Sequence, residues 1–165
     1  MDVEHLYREH SPALFRYLFR FSGDPEVAAD AVQEAFLRLV ERKPRDDQVR
    51  GWLFRVATNL VMERGRTQRR RLRLLEENPG RVPYADLPGD PDEELERKER
   101  QREVQRALAT LPERDRMVLL MRAEGFTQRE IAEAVGVNPK GMGSILGRAQ
   151  AKLAAALRIN VEVVP

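Results

Sequence analysis

Between Asn78 and Pro91 the chain carries four prolines and two glycines, and no regular helix can run through such a stretch. Each proline removes a backbone donor and locks its own φ. Each glycine adds backbone freedom that a helix would have to take away. On either side of this segment, apolar residues recur at helical spacing almost without interruption. The predicted fold class is all-α: two small helical domains joined by a Pro/Gly-rich linker, the second containing a helix-turn-helix. The expected boundaries are 1–77 for the first domain, 78–93 for the linker and 94–165 for the second domain.

In the first half, Leu14, Tyr17, Leu18 and Phe21 share one helical face, and Gly23 ends the run. Asp24 is a good N-cap and Pro25 suits the first helical position of the next helix. Ala28, Ala31, Val32, Ala35, Phe36 and Leu39 then form an apolar stripe. The opposite side carries Asp30, Gln33, Glu34, Leu37 and Glu41. A leucine in so polar a stripe suggests either a docking surface or a satellite contact to another helix. After Pro44 and Asp46-Asp47 a third helix is expected, with Val49, Trp52, Leu53, Val56, Ala57 and Leu60 inward. Arg50, Arg55, Asn59, Glu63 and Arg66 lie towards its other side. Trp52 falls on the apolar stripe and is expected in the core.

The formal net charge is only +2, but its distribution matters more. Six arginines fall between Arg64 and Arg73 with no acid among them, whereas elsewhere acids and bases interleave as on solvated faces. A basic run at the end of an amphipathic helix is suited to phosphate. In the second half, Asp92 can cap a charged helix from Glu94 to Arg106 that leads into Ala107, Leu108 and Leu111. Pro112 interrupts, and Met117 to Met121 supply another apolar helix.

Thr127-Gln-Arg-Glu130 has the capping-box pattern, in which hydroxyl and carboxylate each accept from the other residue's amide. Ile131, Ala132 and Val135 should face inward. Gly136 stands where a tight turn needs positive φ, and Val137 plugs the corner. Asn138 caps and Pro139 begins a second helix, with Met142 and Ile145 completing the apolar set. This is the helix-turn-helix pattern, including a small residue where the second helix crosses the first. The alternative, an ordinary helical hairpin, does not require these caps. Groove-facing positions are then Asn138, Lys140, Gly143, Ser144, Gly147 and Arg148. Glycine has no side chain to read a base edge, so Lys140, Ser144 and Arg148 remain, and they favour phosphates. Weak sequence reading by this helix is expected.

Over nearly its whole length the chain resembles the extracytoplasmic-function group of bacterial sigma factors. The resemblance rests on Asp30-Ala-Val-Gln-Glu-Ala-Phe-Leu-Arg-Leu39 and on Gly51-Trp-Leu-Phe-Arg-Val-Ala-Thr-Asn-Leu60 with its arginine-rich continuation. It continues in Leu111-Pro-Glu-Arg-Asp-Arg116 and Gly125-Phe-Thr-Gln-Arg-Glu-Ile-Ala-Glu133. It implies a transcription initiation factor that binds core RNA polymerase and directs promoter recognition and melting. Asp30, Gln33, Glu34, Leu37 and Arg38 would meet the clamp coiled coil of the largest polymerase subunit. Asn59, Glu63, Arg64 and Arg66 would engage the minus-ten element, with Arg55, Arg69 and Arg70 on phosphates. The linker would thread through the polymerase. The second domain would meet the flap of the second-largest subunit and the minus-thirty-five element, through Lys140, Ser144 and Arg148. An anti-sigma protein is a further implied partner. Family members usually carry long basic or polar side chains where this chain has Gly143, Ile145, Gly147 and Gln150.

No nucleophile–base motif appears, and His5 and His10 are too few for a metal cluster, so neither enzyme activity nor a metal or cofactor is expected. With no cysteine, disulfide and thiol chemistry are excluded. The N-terminus lacks the pattern of a signal peptide and no apolar run is long enough to span a membrane, so a cytoplasmic protein without membrane insertion is expected. Two other readings fit parts of the pattern. One is a sigma-like polymerase-binding regulator with degenerate DNA reading. The other is an autonomous helix-turn-helix repressor, dimerised through the apolar-alanine tail from Leu153 to Leu157.

Overall fold

The computed structural model describes residues 1–74 and 94–162. The chain divides into two compact units, Met1–Pro83 and Tyr84–Pro165. The expected Asn78–Pro91 break and the Asp92 cap lie outside the described residues.

The first unit packs three helices against one another: α1 (Val3–Ser22), α2 (Pro25–Arg42) and α3 (Val49–Leu74). Asp2 caps α1 by accepting from the His5 amide at 3.2 Å, and α1 passes Pro12 on its exposed side. Gly23 ends it with φ 73°, a left-handed conformation that costs glycine nothing, and its N–H donates to the Phe19 carbonyl at 2.7 Å. One residue later Asp24 caps α2 by accepting from the amides of Glu26 and Val27, with Pro25 opening the helix. All six apolar residues of the expected α2 stripe are buried. A 3-10 turn at Asp46–Gln48 leads into α3.

The inward face of α3 differs from the expected one. Val49, Leu53 and Ala57 are buried, but so are Phe54, Thr58 and Val61, while Trp52, Val56 and Leu60 are only half-buried. Phe54, not Trp52, fills the centre, with its ring 5.0 Å from that of Tyr17. Burying such a ring is worth roughly 1.5–3 kcal/mol. A buried hydroxyl pair accompanies this rotation of α3. Thr58 donates to the Phe54 carbonyl, and Tyr17, with its oxygen 2.9 Å from the Thr58 hydroxyl, therefore donates to it. Both polar groups are satisfied inside an apolar core, which removes the penalty for burying them.

The second unit contains α4 (Glu94–Ala109), α5 (Glu113–Ala123), α6 (Gln128–Val135) and α7 (Met142–Glu162). α4 and α5 both pack on α7, and α6 packs on α5 and α7. Leu111 is buried at the bend that Pro112 enforces, and Met117, Val118, Leu120 and Met121 are buried along α5. Asp115 at the start of α5 is 5% exposed, and Lys152 of α7 donates to its carboxylate at 2.7 Å. This pair ties the start of α5 to the middle of α7.

The capping box forms as expected: the Glu130 N–H donates to the Thr127 hydroxyl at 3.1 Å, and the Thr127 N–H to the Glu130 carboxylate at 2.9 Å. Gly136 has φ 75°, and its N–H donates to the Ala132 carbonyl. Ile131, Ala132, Met142 and Ile145 are buried, while Val135 and Val137 are half-buried. Pro139 opens a 3-10 turn through Gly141 rather than the α-helix itself, which starts at Met142. Asn138 caps that turn by accepting from the Lys140 N–H at 3.0 Å. Leu146 and Ala149 extend the buried set beyond the expected positions.

Candidate nucleic-acid and protein interfaces

Two surfaces of the first unit emerge from its helical periodicity. On α2, burying Ala28, Ala31, Val32, Ala35, Phe36 and Leu39 forces Asp30, Gln33, Glu34, Leu37, Arg38 and Glu41 into solvent. Leu37 is 62% exposed, and Val40, three residues on, is 48% exposed. Beside them Glu34 and Arg38 pair at 3.3 Å, one turn apart. Tyr7 of α1, also exposed, rests edge-on against Phe36 with centroids 4.9 Å apart. An exposed Leu–Val pair rimmed by charged groups has the make-up of a protein-docking spot. The satellite-contact reading of Leu37 finds no support at that exposure. Val40 was legible from its i+3 spacing to Leu37 but is a new candidate.

On α3 the rotation set by Phe54 and Thr58 leaves Arg55, Asn59, Glu63, Arg66 and Arg70 exposed. Their spacing of four, four, three and four residues places all five on one stripe. Three arginines against one glutamate give that stripe a positive field suited to a phosphate backbone. The side chain of Arg69 lies outside the described residues.

Arg64 does not join that stripe. It points towards α2, where its Nη1 donates to the Asp30 carboxylate at 2.8 Å. The two residues flank a shallow groove of about 660 Å³, walled by Asp30, Glu34 and Arg38 on one side and Glu63, Arg64 and Thr67 on the other. Candidates assigned from sequence to two separate surfaces thus meet along one groove.

In the second unit, Asn138, Lys140, Gly143, Ser144, Gly147 and Arg148 are all exposed, as the helix-turn-helix geometry requires. A methyl group added at Gly147 or Gly141 would meet nothing within 4 Å, and at Gly143 only the Gln128 side-chain oxygen at 3.9 Å. These glycines are therefore not demanded by packing within the unit. The face presents two cations and a hydroxyl around bare backbone, and such a face holds phosphates better than it distinguishes bases. Among the described residues no group of acids and histidines is arranged to hold a metal ion, and no helix is long and apolar enough to cross a membrane.

Comparison with known proteins divides along the same lines. The model of sigma-70 region 2 matches residues 6–71, and that of sigma-70 region 4 matches residues 101–153. The ECF RNA polymerase sigma factor SigE of Mycolicibacterium smegmatis is 31% identical over 149 residues, covering 88% of this chain and 56% of that protein. The chain thus spans little more than half the length of that relative. SigL of Mycobacterium tuberculosis, also an ECF sigma factor, is 30% identical, covering 80% of this chain and 75% of its own. The sigma factor CnrH of Cupriavidus metallidurans is 31% identical, with coverage of 95% and 87%. Among solved structures, the sigma factor RpoE of Bartonella quintana, in complex with the anti-sigma factor NepR, superposes with a TM-score of 0.69. It covers 96% of this chain and 98% of its own at 21% identity, a likeness of fold.

Proposed function

The chain belongs to the ECF RNA polymerase sigma factors, and from that premise we propose that it binds core RNA polymerase and directs promoter recognition and melting. The observation that carries this reading is the pairing, on adjacent helices of one unit, of a Leu37-centred docking stripe with an arginine stripe. Asp30, Gln33, Glu34, Leu37 and Arg38 of α2 meet the clamp coiled coil of the largest subunit. Asn59, Glu63, Arg64 and Arg66 of α3 engage the minus-ten element, with Arg55, Arg69 and Arg70 on the backbone. The second unit contacts the flap and the minus-thirty-five region through Lys140, Ser144 and Arg148, mostly at phosphates.

The factor works in the cytoplasm, acts without a catalytic group or cofactor of its own, and has no need of one. Binding energy does the melting: unstacked bases gain contacts on the protein while arginines hold the strand, which shifts the duplex equilibrium towards the open form. The domain limits that suit this division are 1–77 and 94–165. An anti-sigma partner is proposed from the likeness to a sigma factor captured with one.

Run-off transcription tests the reading, with purified chain, core polymerase and promoter DNA selected by the reconstituted holoenzyme. A transcript dependent on the chain is the expected result. Stable core binding without any transcript would overturn it in favour of a sigma-like regulator, which the bare glycine face of α7 favours. Tight specific DNA binding by the chain alone would favour a repressor.

A further inference from the structure

The three glycines between Gly141 and Gly147 are not equivalent. A methyl group at Gly141 or Gly147 would look onto open space, but at Gly143 it would lie 3.9 Å from Oε1 of Gln128. Gln128 is not part of α7. It is the first residue of α6, and its side chain lies over the backbone of the reading helix. Both ends of this contact are fixed. On one side, Thr127 and Glu130 close the capping box around Gln128. Fully buried Phe126 precedes that box, its carbonyl accepting from Arg122 Nη1 at 3.0 Å. On the other side, fully buried Met142 anchors the start of α7 beside Gly143. Gln128 is exposed, and among the described residues its amide has no hydrogen-bond partner.

We propose that Gln128 is a specificity-determining residue, its amide taking the place on the reading face that the absent Gly143 side chain leaves. Resting on the reading of the second unit as the minus-thirty-five contact, this adds which group reads a base there, and which base. A glutamine amide carries donors and an acceptor in one plane, which matches N6 and N7 of adenine in the major groove. Lys140 and Arg148 are cations suited to phosphate, and they fix the register without choosing bases. Gly143 is then part of the device. Without a Cβ, the α7 backbone admits the base edge closer, within reach of a side chain rooted in α6. Any side chain longer than a methyl at position 143 competes with the amide for the same space, since the first carbon alone is already in van der Waals contact with it. The second unit therefore selects an A·T pair at one position instead of reading several.

The test uses reconstituted holoenzyme and its selected promoter, with every single base-pair substitution across the minus-thirty-five element. Affinities are read by fluorescence anisotropy for the wild type, Gln128→Ala, Gly143→Leu and Arg148→Ala. The wild type should prefer an A·T pair at one position by about fivefold or more. Gln128→Ala should bring that preference within about twofold and leave the other positions as they are. Gly143→Leu, which keeps the glutamine but fills its place, should do the same. Arg148→Ala should weaken every template alike, as loss of a phosphate contact does. A uniform loss in Gln128→Ala would make Gln128 a phosphate ligand and overturn the proposal. So would a base profile that Gln128→Ala leaves unchanged, with the minus-thirty-five reading intact. A wild type indifferent to all these substitutions overturns the proposal together with that reading.

Discussion

The helices proposed to face DNA, α3 and α7, reverse each other's strengths. α7 enters its unit through a capping box on the preceding helix, a left-handed glycine and a capped proline turn, and it buries Met142, Ile145, Leu146 and Ala149. Its proposed reading face offers Ser144 and Arg148, with Lys140 in the turn before it, among bare glycines. α3 is entered through a 3-10 turn without a side-chain cap and buries Phe54 and Thr58 with its apolar residues, but its outward face carries three arginines, an asparagine and a glutamate on a single stripe. The contrast separates two properties often read as one. A strong fold signature shows where a reading helix will be, and only the side chains facing away from the core determine what it can read.

The largest effect expected from this contrast comes from stripping the two faces in turn. Arg55→Ala, Arg66→Ala and Arg70→Ala together should lower promoter affinity of the holoenzyme by about tenfold or more. They should also flatten the dependence of log affinity on log salt by about two. Lys140→Ala with Arg148→Ala should cost only about threefold. Fluorescence anisotropy at several salt concentrations measures both. Equal losses would break the contrast.

A smaller effect sharpens it from the stability side. Gly147→Ala adds a methyl group into open space inside a helix, so the melting temperature should rise, corresponding to up to about 1 kcal/mol. Promoter affinity should stay within about twofold. A stable variant that no longer binds promoter would instead show that DNA approaches the α7 backbone closely at this point.

The smallest effect lies in the first unit. Burial lowers the pKa of His10 below its ordinary value near 6.5, assisted by Arg50 and His5 and opposed by Glu9. Well above 6.5 both folded and unfolded chains hold it neutral, and it contributes no pH dependence. As pH falls through 6.5 the unfolded chain takes up the proton first, so stability should decline towards the lower folded pKa and then level off. Urea unfolding between about pH 8 and about pH 5 measures this, and His10→Gln should flatten that part of the curve.

Much of this arrangement was legible in the sequence, and its gaps have specific causes. The α2 stripe, the caps at Asp24 and Thr127 and the turn at Gly136 depend on residues within a few positions of one another, and each formed as expected. α3 is harder because apolar residues cover more than half of its circumference from Trp52 to Met62. Its inward face includes Thr58, a polar residue that pattern reading excludes from a core and whose hydroxyl partner, Tyr17, lies 41 residues away. The candidate faces followed from local spacing. The Asp30–Arg64 link did not, because the pair meets only once α2 and α3 have docked.

The glycines of α7 have one more implication. Gly141 and Gly147 look onto open space while the neighbouring Met142, Ile145 and Leu146 carry the packing, so positions 141 and 147 are separate from the residues that hold this unit together. The unit is in that sense a blank chassis, one whose core would need no redesign to accept side chains at those two positions.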